Sequence, residues 1–97
     1  MALPETTPHL QRVYAYWDRL LYLRYGENMP DPETHAIAPI RTYPEIGRLV
    51  GRHRGTVLQQ IGRARAHLRI LWTAQSLGQP LSPAAQAFWR RWRRLLG

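Results

Sequence analysis

The chain has 97 residues, 44% of them apolar, enough for one domain with a modest core and not for two. It contains no cysteine, which excludes a disulfide framework, a thiolate metal site and a thiol nucleophile. The formal charge is +8, and all fourteen cationic side chains are arginine, whose planar fork suits bidentate contact with phosphate and guanine.

Residues 1–7 read as a short loose lead without the basic start and apolar core of a secretory signal. No apolar run approaches the ~20 residues needed to span a bilayer. A cytoplasmic protein without a membrane partner is therefore expected. Thr7 followed by Pro8 has the form of an N-cap and first helical residue. Leu10, Val13, Tyr14, Trp17, Leu20 and Leu21 then recur at helical spacing, which predicts a helix over residues 8–25 with Gly26 as its stop. Residues 26–41, with Pro30, Pro32 and Pro39, form a long connector that reads as a plain linker.

Thr42 and Glu45 make a Thr-x-x-Glu capping box before a short helix from Tyr43 to about Val50. Ile46, Leu49 and Val50 are its expected inward residues, and Gly51 ends it. The next helix is predicted from Arg54 to about Leu77. Its apolar stripe is Val57, Ile61, Ala64, Leu68, Leu71 and Trp72, and Gly78 is its stop. Ser82-Pro83 opens a basic last helix over residues 82–96. Ala84, Ala85, Phe88, Trp92 and Leu95 or Leu96 form its apolar side, with Arg90, Arg91, Arg93 and Arg94 on the other. Trp89 falls near the boundary. The default is that this helix closes the core over the first. An exposed Trp flanked by Arg would instead suit a second copy, a polymerase surface or anionic lipid, the last being the weakest of these. The fold class expected is all-α, about four helices in a single domain.

Charge is partitioned sharply. Up to Glu45 the chain carries four arginines and all six acids; from Ile46 onward it carries ten arginines and no acid. A half so uncompensated repels itself, and a polyanion is its expected partner. Nucleic acid fits best, because neutralising phosphates releases counterions.

Residues 42–77 supply the element to do it. A short helix, a glycine turn and a long helix, spaced Ile46–Gly47, Leu49, Gly51 and Val57, have the form of a helix-turn-helix. Gly47 is small where the helices cross, Gly51 turns the chain, and Val57 plugs the angle. The first turns of the long recognition helix are then free to enter a major groove.

More of the chain follows a known pattern. Leu23-Arg24-Tyr25-Gly26, Thr42-Tyr43-Pro44-Glu45-Ile46-Gly47-Arg48-Leu49-Val50-Gly51, Gly55-Thr56-Val57 and Arg63-Ala64-Arg65-Ala66-His67-Leu68-Arg69 together resemble the fourth conserved region of bacterial sigma factors, over about residues 17 to 70. Arg52 stands where that family usually has an apolar residue, and His53 where Ser, Thr or Pro precedes the recognition helix. Nothing resembles the sigma regions that bind core polymerase or melt a promoter. The resemblance therefore implies a free-standing DNA-binding domain of the kind found in small bacterial or phage regulators. Its expected partner is duplex DNA. The alternatives are a sigma-like modulator that binds RNA polymerase, and a phage DNA-packaging or recombination accessory. Aromatics in the first and last helices are compatible with a homodimer.

The candidate DNA-binding residues are Arg41, Thr42, Arg48, Arg52, His53, Arg54, Thr56, Gln59, Gln60 and Arg63. Gln can pair bidentately with adenine and Arg with guanine. Arg41 and Arg48 are candidate phosphate clamps, and Arg63, Arg65 and Arg69 can line the backbone. The bland alternatives are a solvated polar face, arginine stems covering apolar neighbours, and Thr42 acting only as a cap. His9, His35, His53 and His67 have no ligand spacing, and no residues form a catalytic constellation. Neither an enzyme nor a metal or cofactor is expected.

Overall fold

The structure, a computed structural model, describes residues 8–96. The loose lead and the Thr7 cap expected from the sequence lie outside them. Four α-helices follow in chain order: α1 Pro8–Tyr25, α2 Tyr43–Val50, α3 Arg54–Ser76 and α4 Pro83–Trp92. A single 3₁₀ turn, Arg93–Leu96, continues α4. Among the described residues there is no strand, and the domain is all-α. None of these helices, among the described residues, is long and apolar enough to cross a membrane.

The boundaries sit where local chemistry puts them. Gly26 and Gly78 leave α1 and α3 with φ of 55° and 71°, a region open to glycine at little cost. Ser82 caps α4 by accepting the Ala85 amide, with Pro83 in the first turn. Between α2 and α3 the chain reverses in three residues. Gly51 takes a left-handed conformation (φ 68°, ψ 38°), and the Arg52 amide closes back on the Gly47 carbonyl at 2.9 Å.

Gly47 is required by this reversal. A Cβ on it would stand 2.5 Å from the Arg52 carbonyl oxygen and 3.4 Å from the Arg54 nitrogen. The close neighbour is thus the backbone of the turn, rather than a crossing side chain. Ile46, Val57 and Ile61 fill the angle between the two helices and are fully buried.

Helix α3 touches every other element, and its inward stripe Val57, Ile61, Ala64, Leu68, Leu71 is the spine of the core. Trp72, expected on that stripe, points outward, and Ala74 takes the next inward position. Near its end the buried side of α3 is marked by Leu71 and Ala74, and Trp72 lies 100° from the first and about 160° from the second at 100° per residue. Leu49 is likewise exposed, because it lies more than 100° around α2 from the Ile46–Gly47 side.

Helix α4 closes over α1. Tyr14, Trp17, His67 and Phe88 form one aromatic group, with ring centroids 5.1–6.3 Å apart. Trp92 is fully buried and donates its indole N–H to Asp18 Oδ1 at 2.8 Å, while Arg91 pairs with Asp18 Oδ2 at 3.1 Å. Trp89, at the boundary in the sequence pattern, is in the core.

The connector is tied rather than slack. The Ile40 amide bonds to the Arg24 carbonyl, and Asn28 Nδ2 bonds to the Ala38 carbonyl. Asp31 Oδ1 accepts the Glu33 and Thr34 amides, which hold its carboxyl below the usual range. Arg94, assigned by its spacing to the charged side of α4, is half-buried. It donates to the carbonyls of Gly26, Asn28 and Arg91.

Candidate functional site

The turn between α2 and α3 joins the end of α2 to the start of α3, and arginines flank it on both sides: Arg48 on α2, Arg52 in the turn and Arg54 opening α3. At the start of α2 the capping box is complete. Thr42 Oγ1 accepts the Glu45 amide, and Glu45 Oε1 accepts the Thr42 amide and hydroxyl at 3.3 and 2.9 Å. The Thr42 hydroxyl and amide hold the Glu45 carboxyl below its ordinary pKa, with smaller help from Arg48 and Arg41. Thr42 therefore already has partners inside its own helix.

At the start of α3, His53 stands in for the usual hydroxyl cap. Its Nδ1 accepts the Gly55 amide at 3.0 Å from an extended backbone (φ −64°, ψ 145°). An imidazole nitrogen two bonds from Cβ reaches that amide, which is why histidine is tolerated there.

Beyond these caps lies an open surface. Arg48, Arg52, Arg54, Thr56, Gln59 and Arg63 are all exposed. The guanidinium groups of Arg48, Arg52, Arg54 and Arg63 make no hydrogen bond among the described residues. Gly55, Gln59, Gly62 and Ala66 run down the outward face of α3, opposite Val57 and Ile61, so the face is low in relief. A Cβ on Gly62 would meet nothing within 4 Å.

Two candidates are turned elsewhere. Gln60 is half-buried, and its Oε1 accepts the Trp17 indole N–H at 3.1 Å, leaving only its amide nitrogen for an outside partner. Arg41 reaches back to α1 and donates to the Leu23 carbonyl at 3.2 Å. Its own carbonyl accepts Arg24 Nη1 at 2.7 Å. Arg24 also lies over the Tyr43 ring, 3.9 Å from its centroid, which joins α1 to the start of α2.

Of the arginines further along α3, Arg65 donates to the Tyr25 hydroxyl at 2.9 Å and to the Leu95 carbonyl, so it braces the domain. Arg69 is exposed. Two residues absent from the sequence-derived set join the surface: Leu49 and Leu58 are both more than half exposed beside the arginines. For Leu58 the signal was available, since it falls one residue off the Val57–Ile61 stripe.

This arrangement can present positive charge, amide and hydroxyl groups, and two apolar side chains to a broad partner. Among the described residues no cluster of His, Asp and Glu could hold a metal. No protein-family model, no curated protein and no solved structure matches the chain.

Proposed function

We propose that this domain is a helix-turn-helix DNA-binding protein. It seats the first turns of α3 in the major groove of duplex DNA and acts as a small transcriptional regulator. The observation that carries the reading is the set of exposed, internally unbonded arginines on α2, the turn and the first half of α3 (Arg48, Arg52, Arg54, Arg63), together with the exposed Gln59, on a half of the chain without an acid. The short α2, the three-residue turn and the low-relief outward face of α3 support it, as does the resemblance to sigma region four.

The roles divide by chemistry. Arg48, Arg52 and Arg54, around the turn, hold phosphates. Gln59 and Arg63, on the outward face of α3, meet base edges, where the Gln amide suits adenine and the guanidinium suits guanine. Leu49 and Leu58 suit thymine methyl groups or sugars. Arg41, Thr42, His53 and Gln60 contribute chiefly by holding the two helix starts and α1 in place.

Selection of bound duplexes from a random pool, with and without RNA polymerase, tests this. The expected outcome is an enriched motif with purified protein alone. Gln59→Ala should relax the preference at one base step by about 1–3 kcal/mol, and Arg48→Ala should weaken all duplexes alike. Absence of duplex binding at low salt would sink the reading. Enrichment only with polymerase present would favour the polymerase-binding alternative.

A further inference from the structure

Trp72 is the outlier of the domain. Trp89 and Trp92 are in the core and Trp17 is packed against it, yet Trp72 is 57% exposed. Its indole makes neither a hydrogen bond nor a ring contact among the described residues. It stands between two depressions. One, of about 290 Å³, is walled by Trp72, Trp89, Arg93 and Leu96. The other, of about 270 Å³, includes Arg65 and Arg69 beside Leu95 and Leu96. A tryptophan held in water beside a concave apolar wall is the form of an anchor site for a partner side chain.

Charge decides which partner. Arg69 and Arg93 are exposed at the two rims, and α3, α4 and the 3₁₀ turn that build the site contain no acid. The nearest acids in sequence to His35, which edges the second depression, are Asp31 and Glu33. The Asp31 carboxylate is engaged by the amides of its own turn. A second copy docked through this same face would set arginine against arginine. A nucleobase would need only the open face of Trp72 to stack on, whereas the depression of about 290 Å³ walled by Trp89 and Leu96 suits a side chain that enters it. We infer that this groove binds an acidic segment of another protein, seating one aromatic or large aliphatic side chain between Trp72 and Trp89 while carboxylates pair with Arg69 and Arg93.

Trp72 lies about 27 Å along α3 from Arg54, at 1.5 Å per residue. The groove and the proposed DNA face can therefore be occupied together, and the inference stands apart from the DNA reading.

The test uses the full chain and three labelled twelve-residue peptides, followed by fluorescence anisotropy at about 150 mM salt. One peptide is Glu-rich with a single central Phe, the second has Ser for that Phe, and the third has Lys for each Glu. Single-stranded oligothymidylate is a fourth probe. The Phe peptide should bind about tenfold or more tighter than the Ser peptide, the Lys peptide should not bind, and Trp emission should shift to the blue. Trp72→Ala should reduce the Phe peptide to the Ser level, Trp72→Phe should restore part of the difference, and Arg69→Glu with Arg93→Glu should abolish binding. Duplex affinity should be unchanged by Trp72→Ala, which also separates failure here from failure of the DNA reading. Equal binding of the Phe and Ser peptides, or indifference to Trp72→Ala with the fold intact by circular dichroism, would overturn the inference. So would Trp72-dependent binding of oligothymidylate tighter than that of the Phe peptide, which would assign the groove to single-stranded nucleic acid.

Discussion

Gly62 and Gly47 are both helical glycines with opposite reasons for being small. Gly62 has no neighbour within 4 Å of a would-be Cβ, so nothing inside the domain demands it, and mid-helix glycine costs up to about 1 kcal/mol against alanine. Gly62→Ala should therefore raise stability by roughly 0.5–1 kcal/mol, measured by urea unfolding. Gly47→Ala should lower it by about 1–3 kcal/mol, because the obstructing atom is backbone and cannot swing away. His67 gives a third handle. Its Nε2 lies 2.7 Å from the Tyr14 hydroxyl inside the aromatic group, and burial lowers its pKa. The unfolded chain then binds the proton more readily than the native state. Stability should be fully present above the ordinary histidine pKa of about 6.5 and decline as pH falls below it toward the depressed native value. His67→Gln should flatten that decline in unfolding curves taken between about pH 7 and 5.

Among the elements, α2 depends most on its ends. Eight residues are too few to hold a helix by propensity, so the capping box, the glycine turn and the packing of Ile46 carry it. Thr42→Ala should cost about 1 kcal/mol and loosen the start of α2, read as faster amide exchange at Glu45 and Ile46. If Thr42 acts as a cap alone, the same change should leave the salt dependence of duplex binding unaltered. Helix α3 has the reverse character. Its 23 residues and its contact with every other element make it the rigid bar on which any docking face is mounted. Helix α4 adds rigidity from the far side through Asp18, which takes both the Trp92 N–H and the Arg91 guanidinium.

For the whole molecule the dominant quantity is the excess of positive charge. If the domain closes on DNA with six or more phosphate contacts, affinity should fall by about 10³ or more between low and moderate salt. Arg63→Ala should change selectivity at one position through loss of a guanine contact; a flattening of the slope of log affinity against log salt by about one would assign it to a phosphate instead. Filter binding across a salt series separates the two. Arg65→Ala and Arg94→Ala should behave differently from both. They would weaken the fold through the Tyr25, Leu95, Gly26 and Asn28 contacts while leaving the salt slope close to that of the parent.

The four helices could be read from the chain because their limits are set by neighbours in sequence. Thr42 meets Glu45 three residues on, Gly51 turns where it stands, and Ser82-Pro83 opens α4 within one turn. The gathering of ten arginines without an acid after Glu45 was equally visible. Which side chains remain available to a partner was decided only by the tertiary structure. Arg41, Arg65 and Arg94 look no different in sequence from Arg48, Arg63 and Arg93. They are drawn inward because carbonyls at the end of α1, in the connector and at Leu95 happen to lie within reach. Gln60 meets Trp17 from 43 residues away, and Trp72 faces water while Trp89 is enclosed. Helical periodicity reports which face turns inward, but a long guanidinium or indole settles against whatever the packed helices place within a few ångströms.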